Sequence, residues 1–149
     1  MHAALLLMTL IAADDLSPDV LDMFAEVLER GHYGLRDDET AAFIIHNETG
    51  GDRCMLWPPT AEHHKTRFRW PPPMGVVAIV HTHPVEFPCL STADRASAIR
   101  LGIPVYAITP SAIYKVDAFG MTTAVTKERR WFQEHSSKRQ LCSFGQSTH

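Results

Sequence analysis

Hydrophobic positions along the chain follow two periods. Val20, Leu21, Phe24, Val27 and Leu28 recur at three- and four-residue steps, the spacing of one helical face. Ser17-Pro18-Asp19 supplies the start: an N-cap oxygen, a proline whose missing N–H costs nothing, and an acid at the positive end of the dipole. Gly31 supplies the stop. Short apolar runs follow instead. Residues 41–45 (AAFII) read as a buried strand, residues 47–52 (NETGGD) as a turn, and residues 53–57 (RCMLW) as the returning strand of a hairpin.

Residues 75–80 (GVVAIV) form the most strand-like run, apolar on both alternations, as in a strand covered on both faces. Residues 92–101 suit a helix ended by Gly102, and residues 103–108, 112–117 and 121–125 suit three further strands. Between Pro58-Pro59 and Pro71-Pro72-Pro73 the chain is polar, and proline this dense predicts a loop with a short strand at most. From Lys127 onward the chain turns polar and reads as a C-terminal helix and tail. The order predicts an α/β fold in a single domain, residues 1–149, with its core at about residues 17–126.

Composition narrows the function classes more than the fold. The 149 residues are 45% hydrophobic and 21% charged, ordinary for a globular chain able to bury a core without staples. A net charge of −3 argues against a broad nucleic-acid face. Cys54, Cys89 and Cys142 are odd in number and lack C-x-x-C spacing, which points away from a disulfide framework and towards a reducing cytoplasm. The N-terminal run MHAALLLMTLIAA is too short to span a bilayer as a helix, so no membrane association is expected. It has a signal peptide's apolar length without the basic flank, and a buried strand or helix is the preferred reading over a secreted or periplasmic leader.

Nine histidines are the unusual entry. The strand at residues 75–80 runs straight into His81-Thr82-His83-Pro84. Residues i and i+2 of a strand point to one side, so His81 and His83 can address one metal ion. A catalytic zinc takes three protein ligands and leaves the fourth position to water. Asp94, in the first turn of the following helix, offers the third. Ser91-Thr92-Ala93-Asp94 also fits a helix capping box, and capping and ligation are compatible because a capped helix start holds its side chains rigidly.

The joint pattern His81-x-His83-x7-Ser91-x2-Asp94 resembles the motif of the JAMM (JAB/MPN) zinc metalloprotease family, written Glu followed by H-[S/T]-H-x7-S-x2-D. Glu39, ahead of Thr40-Ala41-Ala42-Phe43-Ile44-Ile45, resembles that family's glutamate at the start of a buried strand, although Glu48 and Glu62 also stand upstream. The likeness covers residues 17–119, and IPVYAITPSAIYKVD is similar to the strands after the motif helix in bacterial, free-standing JAB-like proteins.

The resemblance implies a central, mixed, curved sheet flanked by helices, in a cytidine-deaminase-like architecture. It implies one zinc ion held by His81, His83 and Asp94 with water as fourth ligand, Glu39 as general base, and Ser91 as an oxyanion donor. It also implies a peptidase or isopeptidase acting behind the extended tail of ubiquitin or a ubiquitin-like protein, a class found in bacteria in modifier-removing and antiviral operons. Two other readings stay open: a metal-free scaffold of the same fold that binds a protein partner, and a zinc hydrolase of a small amide.

The remaining candidates carry less. His63-His64 read as solvated surface, and Lys65, Arg67 and Arg69 as a wet charged face. His46 reads as structural, and His2, His135 and His149 are terminal. Cys89 reads as a small packing hydrophobe in the loop between the ligands.

Overall fold

Ser17 starts the first helix as expected: its hydroxyl accepts the Val20 N–H at 3.3 Å, and Pro18 occupies the first turn. The helix, α1 (Pro18–Arg30), buries Val20, Met23, Phe24, Ala25, Val27 and Leu28 and ends at Gly31. The computed structural model describes residues 16–36, 39–58, 71–135 and 140–145. The readings made for the N-terminal apolar run, for Glu62, His63, His64, Lys65, Arg67 and Arg69, and for His2 and His149 lie outside the described residues.

The apolar runs become strands: β1 (Ala41–His46), β2 (Asp52–Leu56), β3 (Val76–Thr82), β4 (Val105–Thr109), β5 (Ala112–Val116) and β6 (Thr122–Thr126). A second helix, α2 (Thr92–Leu101), connects β3 to β4, and a short β7 (Cys142–Phe144) closes the order. Seven strands form one sheet in the order β6-β5-β4-β3-β1-β2-β7. The β3–β4 and β2–β7 pairs are parallel and the other four are antiparallel, so the sheet is mixed and the class is α/β. A parallel pair needs a long crossover, and α2 is the crossover of β3 and β4.

Alternation along the central strands divides the core in two. Ala42, Ile44, Ala78 and Val80 face α1 and pack with Phe24, Leu28, Tyr106 and Ile108. Phe43, Ile45 and Ile79 face the other way and pack with Ala98 of α2, Val105 and Val116. Because β3 is covered on both sides, its sequence shows no polar alternation until His81.

Three expectations are corrected. Among the described residues there is no C-terminal helix: a 3-10 turn, Trp131–Glu134, precedes β7. Arg130 takes a left-handed φ of 61°, which breaks helical continuation, and Trp131 buries its ring while its indole N–H donates to the Thr109 carbonyl at 2.7 Å. The cysteines do form a disulfide, Cys54–Cys142. The β2–β7 register sets these two residues side by side, a proximity that 88 residues of separation hide in the sequence. Cys89 is free and exposed, so it does not pack as filler. Among the described residues no helix is long and apolar enough to cross a membrane.

Candidate metal centre

The end of β3 carries the chemistry. His81 is the penultimate residue of β3, on the α2 side of the sheet, and His83 follows two residues later on the same side. Both are buried, with 6% and 7% exposure. Their Nε2 atoms lie 2.8 Å apart. The α2 N-terminus turns back over this strand end and brings Asp94, whose Oδ1 lies 3.2 Å from His81 Nε2 and whose Oδ2 lies 3.4 Å from His83 Nε2. One donor atom from each of the three side chains falls within 4.8 Å of the other two.

This donor set fits a metal ion. Two imidazole nitrogens and one carboxylate oxygen match the ligand preference of a divalent transition ion. The His83 tautomer is compatible with this. His83 Nδ1 sits 3.0 Å from the Phe87 carbonyl, an acceptor only, so Nδ1 carries the proton and Nε2 presents its lone pair. His81 Nδ1 is buried without a hydrogen-bond partner among the described residues. Without an ion, a His81 protonated at Nε2 can donate to His83 Nε2 or to Asp94 and leaves only a buried Nδ1 lone pair unmet; with a cation between the two Nε2 atoms and Asp94, both rings would turn Nε2 lone pairs towards it.

The electrostatics are those of a cation site. Burial works against charging His83, but the hydrogen bond and charge of Asp94, the Phe87 carbonyl and the charge of Glu39 outweigh it and raise its pKa above 6.5. Burial likewise opposes ionising Asp94. The hydrogen bonds of His81 and His83, the charge of His81 and the Ser91 N–H win, and they hold the carboxyl well below the usual range.

Local sequence explains the rigidity. Ser91 caps α2: its hydroxyl accepts the Asp94 N–H at 3.1 Å, and Asp94 Oδ2 accepts the Ser91 N–H at 2.8 Å. Capping and ligand geometry are thus combined in one carboxylate. Ser91 Oγ acts here as an acceptor, which leaves its proton available to donate elsewhere. The segment after α1 braces the other side. Gly34, at φ 70°, lies so close that a Cβ would overlap the His83 carbonyl oxygen, and its own carbonyl accepts the Val85 N–H at 3.3 Å.

Glu39 stands next to this cluster. Ala41 pairs with His81 in the β1–β3 register, and continuing that register by two residues sets Glu39 opposite His83. Glu39 lines a cavity of about 120 Å³ together with His81, Asp94, Ser97 and Trp57. Ser91 is not among the residues lining that cavity. Glu48 lies in the turn beyond the far end of β1, a six-residue strand, or about 20 Å away at strand rise. That distance removes Glu48 as an alternative to Glu39.

His46 Nδ1 lies 2.8 Å from Asp52 on the surface, and His135 Nδ1 lies 3.1 Å from Asp22, which places both in structural hydrogen bonds. Two contributors carry no signal in the sequence. The Phe87 carbonyl belongs to the main chain, so any residue there would offer it. Trp57 reaches the cavity from the end of β2, which only the β1–β2 register discloses. No family model matches the chain, and neither a curated protein nor a solved structure matches it.

Proposed function

We propose that the chain is a zinc-dependent metallopeptidase of the JAMM type, with an MPN/JAB-like fold, that cleaves a peptide or isopeptide bond behind the extended tail of a ubiquitin-like protein. The observation carrying this reading is the convergence of His81, His83 and Asp94 beside Glu39 at one strand end. The motif spacing named His81, His83 and Asp94 in advance, and the family resemblance named Glu39 with Glu48 and Glu62 as alternatives; their proximity supports the reading.

In this reading His81, His83 and Asp94 hold the ion. Zinc supplies Lewis acidity that activates water near neutral pH and polarises a carbonyl. The protein's own share is placement. Glu39 lies within the field felt by His83 and serves as the base that takes a proton and returns it to the leaving amine. Ser91 retains a hydroxyl proton that can be turned towards a developing oxyanion. Phe87 fixes the His83 tautomer, and the capping box fixes Asp94.

The cavity size favours a polypeptide over a small amide. About 120 Å³ admits the reacting group and a few waters, at about 30 Å³ each, whereas small-molecule sites usually offer roughly 300–1,000 Å³. In this reading the rest of the substrate would lie outside the cavity, as an extended tail could. The Cys54–Cys142 bond favours an oxidising compartment over the cytoplasm.

Two measurements on the full chain test the reading. Elemental analysis without chelator exposure should find close to one zinc per chain; below about a tenth, the metal-free scaffold is the better reading. Glu39→Gln should keep zinc and lose cleavage of ubiquitin-like fusions, and His83→Ala should lose both. Full cleavage by the Glu39→Gln protein would remove Glu39 as the base.

A further inference from the structure

Thr82 stands between the two histidines and points to the opposite side of the sheet. It is 1% exposed. Its main-chain N–H donates to the Thr40 carbonyl at 2.9 Å, as an antiparallel ladder requires. The reciprocal bond is unusual. The Thr40 N–H is received at 3.0 Å by the Thr82 hydroxyl, not by its carbonyl. Thr82 is the last residue of β3, and the His83 N–H that follows faces β4 and donates to Ile108, as alternate N–H groups of a central strand do. A side-chain oxygen thus completes the pair with β1 at the end of the strand. Thr40 is the residue immediately after Glu39.

The reverse side of Thr82 is held as tightly. Gly31, which ends α1, lies against it: a Cβ there would overlap Thr82 Cγ2 and fall 2.7 Å from Oγ1. Gly31 has an ordinary φ of −81°, so the requirement for glycine is this contact and not the backbone. The end of α1 thereby locks the Thr82 side chain in the orientation that meets Thr40.

We propose that Thr82 is a positioning residue: its hydroxyl, wedged by Gly31, anchors the main chain at Thr40 and so sets where the Glu39 carboxylate stands relative to His81, His83 and Asp94. This rests on the reading of Glu39 as the base at a metal centre. Groups of this kind, one step behind the reacting residues, commonly change activity or affinity by about 10–100-fold when lost. Thr82 acts through Glu39 and not on the ion, because its hydroxyl faces away from the ligand side.

The test uses the full-length chain, metal-free and loaded with Co2+. Thr82→Val keeps the branched shape and removes the hydroxyl; Thr82→Ser keeps the hydroxyl; Gly31→Ala pushes on it from behind. In the metal-free protein, amide exchange at Thr40 should be at least about tenfold faster in Thr82→Val and Gly31→Ala and near wild type in Thr82→Ser. With Co2+ bound at unchanged stoichiometry, the visible absorption spectrum of Thr82→Val should move towards that of Glu39→Gln, Thr82→Ser should restore the wild-type spectrum, and the double variant should match Glu39→Gln alone. A wild-type spectrum in Thr82→Val beside a changed one in Glu39→Gln overturns the proposal and spares the role of Glu39. No change in Glu39→Gln itself removes the Glu39 reading and the proposal with it. Lost Co2+ stoichiometry in Thr82→Val also overturns it, since the effect would then lie at the ligands.

Discussion

The two faces of the sheet are built differently. On one, α1 buries six residues, Trp131 adds its ring, and a disulfide and the Glu26 carboxylate fasten β7 beneath the helix. On the other, α2 buries only Ala98, and Ile99 of the same helix is half exposed. Burial of apolar area therefore holds α1, whereas α2 is held chiefly at its N-terminus, by the capping box and by Asp94 facing two histidines. Both faces bury a core, but the helix on one is anchored by apolar burial and the helix on the other by the candidate metal centre. A helix with little apolar anchorage responds to whatever occupies its N-terminus, because little else opposes its movement.

The sharpest way to break this contrast is at Phe24. Its side chain is fully buried and its ring lies 5.1 Å from that of Tyr106. Phe24→Ala should cost about 3–5 kcal/mol in denaturant unfolding. The folded fraction should still bind zinc one to one, since Phe24 packs in the core cluster on the α1 side of the sheet. Loss of zinc affinity in the folded fraction would mean that the two faces are not separable.

Next in size is the disulfide. Cys54–Cys142 closes a long loop and ties β7 to β2 on the α1 side. Its removal by Cys54→Ala with Cys142→Ala should cost about 2–4 kcal/mol of stability. Metal affinity should stay unchanged. Stability equal to the wild type would show that the Glu26 carboxylate, which accepts the Leu141 and Cys142 N–H groups, fastens β7 by itself.

The same division explains what the sequence revealed. The α1 face was legible because burial writes a periodic pattern: the helix, its cap at Ser17 and its stop at Gly31 all stand where the spacing predicts. The ligand triad was legible for a different reason. It is local, spanning residues 81–94, and its geometry follows from strand alternation and a helix cap. Contacts between distant segments left no such trace. The disulfide depends on a three-residue parallel pairing, and the Thr82–Thr40 clamp depends on the register of β1 against β3. The C-terminal helix was misread because polarity alone does not reveal that Trp131 is an anchor or that Arg130 bends the chain.

The smallest expected effect discriminates best between the two faces. Ser91→Ala removes the oxygen that accepts the Asp94 N–H, at an exposed helix start, and should cost about 1 kcal/mol. If α2 is held at its N-terminus, that loss falls on α2 alone. Amide exchange in the metal-free variant should then rise across residues 92–101 and stay at wild-type rates across α1. The Ser91 N–H still donates to Asp94 Oδ2, so the carboxylate keeps one of its two ties to the helix start. Adding Zn2+ should therefore narrow the difference between variant and wild type, because the ion would grip Asp94 from the strand side. Faster exchange in α1 as well would show a single cooperative unit, and the contrast between the two helix anchorages would have to be abandoned.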